Sequence, residues 1–264
     1  MKICAIGDPH GNLNKIKKIP LKNVGLILLT GDIGNADLAR KMAFTNIERK
    51  NKGLDEILYS KKDEKKAYMQ SYESAIKLVK YLVKFAPVYL ISGNVESPDK
   101  DTIKQSKEIG LKLPLLFKDL SKIRNIFVIN NKLVTINHVR ILGLKYFIDT
   151  SWVREFKPSN YKDKLKYAVK ETEKVKKILT RFKHVDVLLT HQPPYGVMDK
   201  VTSKFAPKEW RNKHAGSKTI LNYIIKQKPK YVFSGHIHEM EGTKKIGITQ
   251  VYNLGVCGYK TIDI

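Results

Sequence analysis

Short hydrophobic runs in this 264-residue chain are followed directly by side chains that can bind metal ions. Asp8 and His10 follow the run KICAIG, and Asp32 follows LILLTG. Later runs are followed by the remaining members of the set, which are Asn94, His191, His236 and His238. Because the ends of β-strands are rigid, such side chains can converge on one point. The mixture of carboxylate, imidazole and amide groups suits a pair of borderline divalent metal ions.

Short β-branched runs alternate with longer lysine-rich stretches that have helical spacing, which is typical of a layered α/β protein. The runs predict strands at 2–6, 24–30, 87–92, 185–190 and 230–234. The stretches between them predict helices at 12–19, 36–50, 65–85 and 161–182, and a last helix that Ser217 caps. Since no linker rich in Pro, Gly or Ser divides the chain, we expect a single domain over residues 1–264.

The middle of the chain is richer in strand patterns. Runs at 126–129, 133–136 and 139–144 are separated by short turns that contain asparagine. They predict a hairpin and meander of antiparallel strands between two βα halves. In contrast, residues 192–215 have no clear period and contain prolines, so we expect a long loop directly after His191.

The formal net charge of +25 leaves two explanations open. It could mark a nucleic-acid or other polyanion partner, or it could reflect a solvated surface coated with lysine. We favour the surface, because lysine outnumbers arginine and is spread over helical segments. Cys4 and Cys257 are expected to be buried free thiols in a reducing cytoplasm. We expect no membrane span, and the first strand, which starts at Lys2, leaves no room for a signal peptide.

The spacing within two motifs favours shared metal binding. Asp8 and His10 are two residues apart, and His236 and His238 repeat this spacing. At a strand end, two such side chains can point to the same side and bind one ion. A single pair of this kind is common by chance, whereas the full ordered set is specific.

Asp32 and Asn94 each follow a glycine, which allows a close approach of backbone or ligand. The carboxylate of Asp32 can bridge two cations with its two oxygens, and Asn94 offers a neutral carbonyl oxygen. Taken alone, an Asp or Asn here would more often be a cap or turn residue. The joint pattern favours metal binding.

The ordered set DxH, GD, GN, H and GHxH resembles the calcineurin-like metallophosphoesterase superfamily over essentially the whole chain. The segments HAGSKTI, GHIHE and YNLG resemble the Icc-related branch of that superfamily. The resemblance implies a four-layer α/β/β/α sandwich with a dinuclear metal centre. It assigns one metal to Asp8, His10, Asp32 and His238. It assigns the other metal to Asp32, Asn94, His191 and His236.

The same resemblance implies hydrolysis of a phosphodiester or a small phosphomonoester by attack of a metal-bridging hydroxide, with Asp32 and Asn94 as catalytic residues. We favour phosphodiesters, which include nucleotides, and manganese, with iron, zinc, nickel or cobalt as alternatives. Two other hypotheses stay open. One is a nuclease acting on DNA or RNA, and the other is a binding scaffold of the same fold without catalysis.

The chain departs from the family pattern at Val95. Many family members carry a histidine there, next to the leaving-group oxygen, as a candidate general acid. Valine cannot transfer a proton, and loss of a positioned acid costs roughly 10²–10⁴-fold in rate. Glu96 and His214 are the candidates to replace it.

Overall fold

The computed structural model describes residues 1–204 and 206–264 of the chain. Phe205, inside the predicted loop at 192–215, lies outside the described residues. Within the described ranges, no helix combines the length and apolar character needed to cross a membrane.

Strands and helices alternate along most of the chain. The strands are β1 (Lys2–Ile6), β2 (Leu26–Leu29), β3 (Val88–Leu90), β4 (Ile126–Val128), β5 (Lys132–Ile136), β6 (Val139–Leu144), β7 (Val187–Thr190), β8 (Tyr231–Ser234), β9 (Gly242–Ile246), β10 (Thr249–Asn253) and β11 (Tyr259–Asp263). The helices are α1 (Leu13–Ile16), α2 (Asp37–Asn51), α3 (Lys61–Leu82), α4 (Asp99–Ile109), α5 (Leu116–Leu120), α6 (Thr150–Phe156), α7 (Tyr161–Arg181) and α8 (Lys218–Gln227).

Over the described residues, these strands form two sheets. The first has the order β11-β1-β2-β3-β4, and the second has the order β5-β6-β7-β8-β10-β9. Neighbouring strands from β1 to β4 are parallel, and so are β6, β7, β8 and β10. Only the edge strands β11, β5 and β9 pair antiparallel in the described sheets. The carboxyl ends of β1, β2 and β3 therefore meet at one sheet edge.

Alternation along the strands separates the core into layers. Cys4 and Ile6 of β1 face the cluster formed with α1, α3 and α5, whereas Ile3 and Ala5 face the second sheet. The pattern repeats in β7, where Leu189 faces the first sheet and Leu188 faces α7 and α8. Alternate side chains of a strand thus lie on opposite faces of the sheet, and both faces are buried. The result is the expected four-layer α/β/β/α arrangement.

The predicted meander in the middle of the chain is wrong in one part. β5 and β6 form the expected antiparallel hairpin, but β4 pairs parallel with β3 in the other sheet. The reason is that Ile126 packs against the helix-facing cluster of the first sheet. The turn after β4 therefore carries the chain from one sheet to the other.

Two further differences concern helices. α3 begins at Lys61, four residues before the predicted start, because the side chain of Ser60 accepts a hydrogen bond from the Asp63 N–H and caps the helix. α4, α5 and α6 were not predicted. The predicted cap of α8 is confirmed, since the Ser217 side chain accepts from the Ile220 N–H.

Both cysteines are free and buried, as predicted. Cys4 lies inside β1, and Cys257 donates a hydrogen bond to the carbonyl oxygen of Pro9. Burial raises the pKa of each thiol to about 11. Since the thiolate is the nucleophile, both side chains are poorly reactive in the folded protein.

We therefore expect neither thiol to react appreciably with Ellman's reagent at pH 8 in the native protein. Both should react within minutes in denaturing guanidinium chloride, where burial no longer protects them. Absorbance of the released thionitrobenzoate measures the reaction. Rapid labelling of either thiol before unfolding would contradict the described packing.

Candidate metal centre

The carboxyl ends of the parallel strands place polar side chains from both sheets at one edge. Asp8 and Asp32 come from the first sheet, after β1 and β2, and His191 and His236 come from the second, after β7 and β8. Ligands commonly bind at this edge of open α/β sheets. The two buried carboxylates therefore meet imidazoles from the opposite sheet.

Asp8 is fully buried and held in place by three donors. The hydroxyl of Thr30 donates to its Oδ1 at 2.7 Å, and the backbone N–H of His236 donates to its Oδ2. His238 Nε2 lies 3.3 Å from the same Oδ2. Because a Cβ on Gly235 would lie 2.2 Å from Asp8 Oδ1, only glycine allows this approach.

His10 reaches the site through a turn and not through strand alternation. Its backbone has a φ of 45°, in the left-handed region, and its N–H donates to the carbonyl oxygen of Asp32. Asp32 and His236 have φ values of 46° and 68°. Such conformations are unfavourable for non-glycine residues and cluster at functional sites. We expected strand alternation to point His10 to the same side as Asp8, and a left-handed turn orients it instead, although the side chains do converge.

The two oxygens of Asp32 face different groups. Oδ2 lies 3.7 Å from His10 Nε2, whereas Oδ1 lies 3.6 Å from His191 Nε2. Oδ1 also accepts the backbone N–H of Val95 at 2.9 Å. This carboxylate therefore lies between the two donor groups that the sequence pattern proposes.

Asn94 joins the imidazoles of the second sheet. Its Oδ1 lies 2.8 Å from His191 Nε2 and 2.9 Å from His236 Nδ1. The other ring nitrogen of His191 faces the carbonyl oxygen of Thr30 at 3.0 Å. A carbonyl acceptor at Nδ1 fixes the tautomer so that Nε2 presents its lone pair to the centre.

Charge and burial bias these groups toward the protonation states that metal ions need. Burial opposes ionisation of Asp8, but His191 and the hydrogen bonds to the carboxylate outweigh it and hold the pKa of Asp8 well below its usual range. Burial lowers the pKa of His10 to about 4 and that of His236 to about 3. Ionised carboxylates and neutral imidazoles are the metal-binding forms.

His191 behaves in the opposite way. Burial lowers its pKa, but the carboxylates of Asp32 and Asp8 outweigh burial, so the pKa of His191 is raised. Two buried carboxylates thus attract positive charge to the centre. In addition, His10 Nε2 and His238 Nε2 face each other at 3.2 Å, a contact that one bridging cation would satisfy.

The donor set fits divalent metal ions. Ligand atoms of Asp8, His10, Asp32 and His238 all lie within 4.8 Å of one another. Oxygen and imidazole donors of this mixture suit manganese, iron, cobalt, nickel and zinc. The structure thus brings the predicted residues of both sets together, with Asp32 in common.

Glu96, a candidate acid in the sequence, has another position. Its carboxylate is buried and accepts the backbone N–H groups of Asp32, Ile33 and Gly93. Burial and the nearby Asp32 raise the pKa of Glu96 to about 7, against the effect of these hydrogen bonds. Glu96 therefore ties the loops after β2 and β3 together instead of facing a substrate.

Arg40 was missed by the sequence reasoning. Its Nη2 lies 3.3 Å from His10 Nε2 and 3.7 Å from Asp32 Oδ2, and its side chain is 34% exposed. The sequence could have indicated it, because Arg40 lies only eight residues after Asp32 and is an arginine in a chain where most basic residues are lysines. Tyr146 was also missed, although it follows β6. Its ring centroid lies 5.6 Å from that of His191.

Comparison with known proteins identifies the family of this chain. The sequence profile of the calcineurin-like phosphoesterases matches residues 1–240. The chain belongs to this family. UPF0046 protein T07D4.2 of Caenorhabditis elegans is 26% identical over 276 residues, which cover 97% of this chain and 56% of the relative. The chain thus spans little more than half of that relative.

Two solved structures are similar in fold to this calcineurin-like phosphoesterase. A dimetal phosphatase from Danio rerio has a TM-score of 0.52 at 9% identity, covering 99% of this chain and 91% of that one. The Phosphopantetheinyl Hydrolase (PptH) from Mycobacterium tuberculosis has a TM-score of 0.51 at 10% identity, covering 97% and 89%. At these identities the likeness concerns the fold.

Replacing Arg40 tests the charge of the centre. A metal ion must displace the guanidinium from His10 and Asp32, so we expect Arg40→Met to bind Mn²⁺ severalfold more tightly than the wild type. Isothermal titration calorimetry of the metal-free proteins measures this difference. Lys41→Met, one residue along the same helix, is the matched control and should change little. Equal or weaker binding by Arg40→Met would count against the expected displacement.

Metal binding should also stabilise the fold. A ligand present at 100 times its Kd adds about 2.7 kcal/mol to the free energy of unfolding. We expect Mn²⁺ to give an increase of this size in denaturant unfolding, and Asp32→Asn to lose most of it. Asp163→Asn, a change on the exposed start of α7, should keep the full increase. A metal effect of equal size in both variants would mean that the ion binds elsewhere.

Proposed function

We propose that Asp8, His10, Asp32 and His238 hold one divalent metal ion. Asp32, Asn94, His191 and His236 hold a second. The observation that supports this most directly is the orientation of the Asp32 carboxylate, because one oxygen faces His10 and the other faces His191. Bound there, two divalent ions would activate water and neutralise charge that develops on a phosphoryl group.

The proposed reaction is hydrolysis of a phosphoester, with phosphodiesters preferred to monoesters and manganese as the first choice of metal. Two groups of this chain complement a phosphoryl oxygen directly. Asn94 has its Oδ1 turned toward the histidines, and its amide N–H groups have no hydrogen-bond partner within the described part of the chain, so they can donate outward. The guanidinium of Arg40, displaced from the carboxylate, can donate in its place to an anionic substrate.

Small esters are the proposed substrate class. The fold relatives include the Phosphopantetheinyl Hydrolase (PptH) and a dimetal phosphatase, which supports a small phosphate compound as the substrate. We favour diesters, nucleotides among them, on the resemblance of HAGSKTI and GHIHE to the Icc-related branch. We further propose that residues 1–264 act as one domain in the cytoplasm, in keeping with two buried free thiols.

Hydrolysis of bis-p-nitrophenyl phosphate and p-nitrophenyl phosphate tests this proposal after loading with Mn²⁺. We expect the wild type to release p-nitrophenol from the diester faster than from the monoester. Asp32→Asn should lose at least about 10²-fold in rate, since it removes the shared carboxylate, comparable to loss of one key electrostatic group. Asp163→Asn should stay at the wild-type rate.

The outcomes separate the hypotheses. Cleavage of the monoester alone would indicate that the protein is a phosphatase and not a phosphodiesterase. Activity that Asp32→Asn retains in full would point to a contaminant or to another site. No cleavage of either ester by protein shown to hold two metal ions would leave the non-catalytic scaffold as the better account.

A further inference from the structure

Asp199 and His214 form a close pair in the loop that follows His191. His214 Nδ1 lies 2.7 Å from Asp199 Oδ1. The carboxylate is buried, with 1% of the side chain exposed, whereas 27% of the His214 side chain is exposed. Nε2 of His214 has no hydrogen-bond partner among the residues that the structure describes. The pair thus presents one ring nitrogen outward while the other is fixed.

The backbone holds the carboxylate rigidly. Asp199 Oδ2 accepts the N–H groups of Gly196 and Gly216 at 2.9 and 3.0 Å. Gly216 is required at its position, because a Cβ there would lie 2.7 Å from the same oxygen. The carbonyl oxygen of Asp199 also accepts the Ala215 N–H, next to His214. The segment HAGS, which the sequence singled out, is therefore the structural support of this pair.

The segment that carries His214 packs beside the chain that follows His191 and beside His236. The Ser217 N–H donates to the carbonyl oxygen of Pro193, two residues after His191, and the Tyr195 N–H donates to that of Ser217. Ala215 lines a small cavity of about 10 Å³ together with His236. Ala215 also packs in one cluster with Ile237, which lies between the proposed ligands His236 and His238, so His214 is one residue away from this contact.

The two residues that follow Asn94 are poorly suited to donate a proton to a leaving group. Val95 stands where many family members have a histidine, and Glu96 is buried under three backbone N–H groups. An alkoxide or phenolate leaves slowly unless a proton reaches it as the bond breaks. A histidine with one nitrogen on a buried carboxylate and the other exposed is suited to supply it.

We infer that His214 is the general acid of this phosphoesterase, positioned by Asp199; the inference rests on the proposed function. As the bond between phosphorus and the leaving oxygen breaks, its electron pair stays on that oxygen. His214 Nε2–H gives its proton to the oxygen and an alcohol is released. The oxygen that joins phosphorus comes from water, which loses a proton to solvent. Solvent then returns a proton to Nε2.

Other charged and titratable groups surround the pair. The Tyr195 ring packs against the imidazole, with centroids 4.9 Å apart, and Lys218 Nζ lies 4.5 Å from the centre of that ring. Glu155 accepts a long hydrogen bond of 3.5 Å from the Tyr195 hydroxyl. Lys200 pairs with His214 through the backbone. Lys218 and Glu155 are of opposite charge and both act through Tyr195, so Asp199 is the direct charged partner.

The decisive variant is His214→Asn. The amide N–H of the asparagine can replace the Nδ1–H of His214 as the donor to Asp199, but asparagine has no atom that corresponds to Nε2. The rates on a phenyl ester and on the matching p-nitrophenyl ester are then compared, because only the first depends on a general acid. Both are used as monoesters or both as diesters, according to which type the wild type cleaves. p-Nitrophenolate leaves without a proton, whereas phenolate needs one. His138→Asn, in the exposed turn between β5 and β6, is the matched control.

We expect His214→Asn to lose roughly 10²-fold or more on the phenyl ester. On the p-nitrophenyl ester it should lose less than about threefold, with metal content unchanged. Asp199→Asn should show the same selectivity with a smaller loss, and His138→Asn should show none.

Several results would overturn this assignment. Equal losses on both esters, or full activity of His214→Asn, would reduce His214 to support of the loop, while the proposed function would stand. If the metal-loaded wild type cleaves neither ester, the proposed function and this role fail together. Nitrogen-15 spectra of the metal-free full chain give a separate readout. They should place the proton of neutral His214 on Nδ1, and a proton on Nε2 would contradict the geometry.

Discussion

The centre depends on one buried carboxylate whose two oxygens face opposite ways. Asp32 takes a left-handed backbone conformation directly after Gly31, and Glu96 binds its N–H. The Val95 N–H fixes Oδ1. These contacts orient the carboxylate across the gap between the two sheets, so that His10 lies on one side and His191 on the other. Asp8 and Asn94 also contact histidines of the second sheet, but the two oxygens of Asp32 are the ones that face both proposed sets of donors.

Much of this arrangement could be predicted because the relevant signals are local. Each proposed ligand directly follows a hydrophobic run, and parallel strands bring such positions to one edge. The burial of Asp8 and the role of Asn94 between two imidazoles could not be predicted in the same way. They depend on how the second sheet is placed against the first, and no short segment of sequence contains that information.

The errors have the same origin. The run at 126–129 has the pattern of a strand, but its pattern does not identify its partner, and Ile126 joins the first sheet through contacts distant in sequence. Arg40 was missed because helical residues approach the site from the side, without a strand end to mark them. Glu96 was assigned a chemical role from its place beside Val95, whereas the fold uses it to bind three backbone N–H groups.

The net charge of +25 can be reconciled with a small-substrate enzyme. Several lysines on helices or just beyond their ends pair with acids three or four residues away, as in Lys52–Glu48, Lys104–Glu108, Lys122–Asp119, Lys174–Glu171 and Lys176–Glu173. Such exposed pairs add little to stability, because solvent and salt screen them, and they are typical of solvated helices. By contrast, an arginine on α2, Arg40, contacts His10 and Asp32 of the centre. Under the proposed function, the excess lysine would favour the capture of anions in general, while Arg40 and the imidazole of His214 would act on the bound ester.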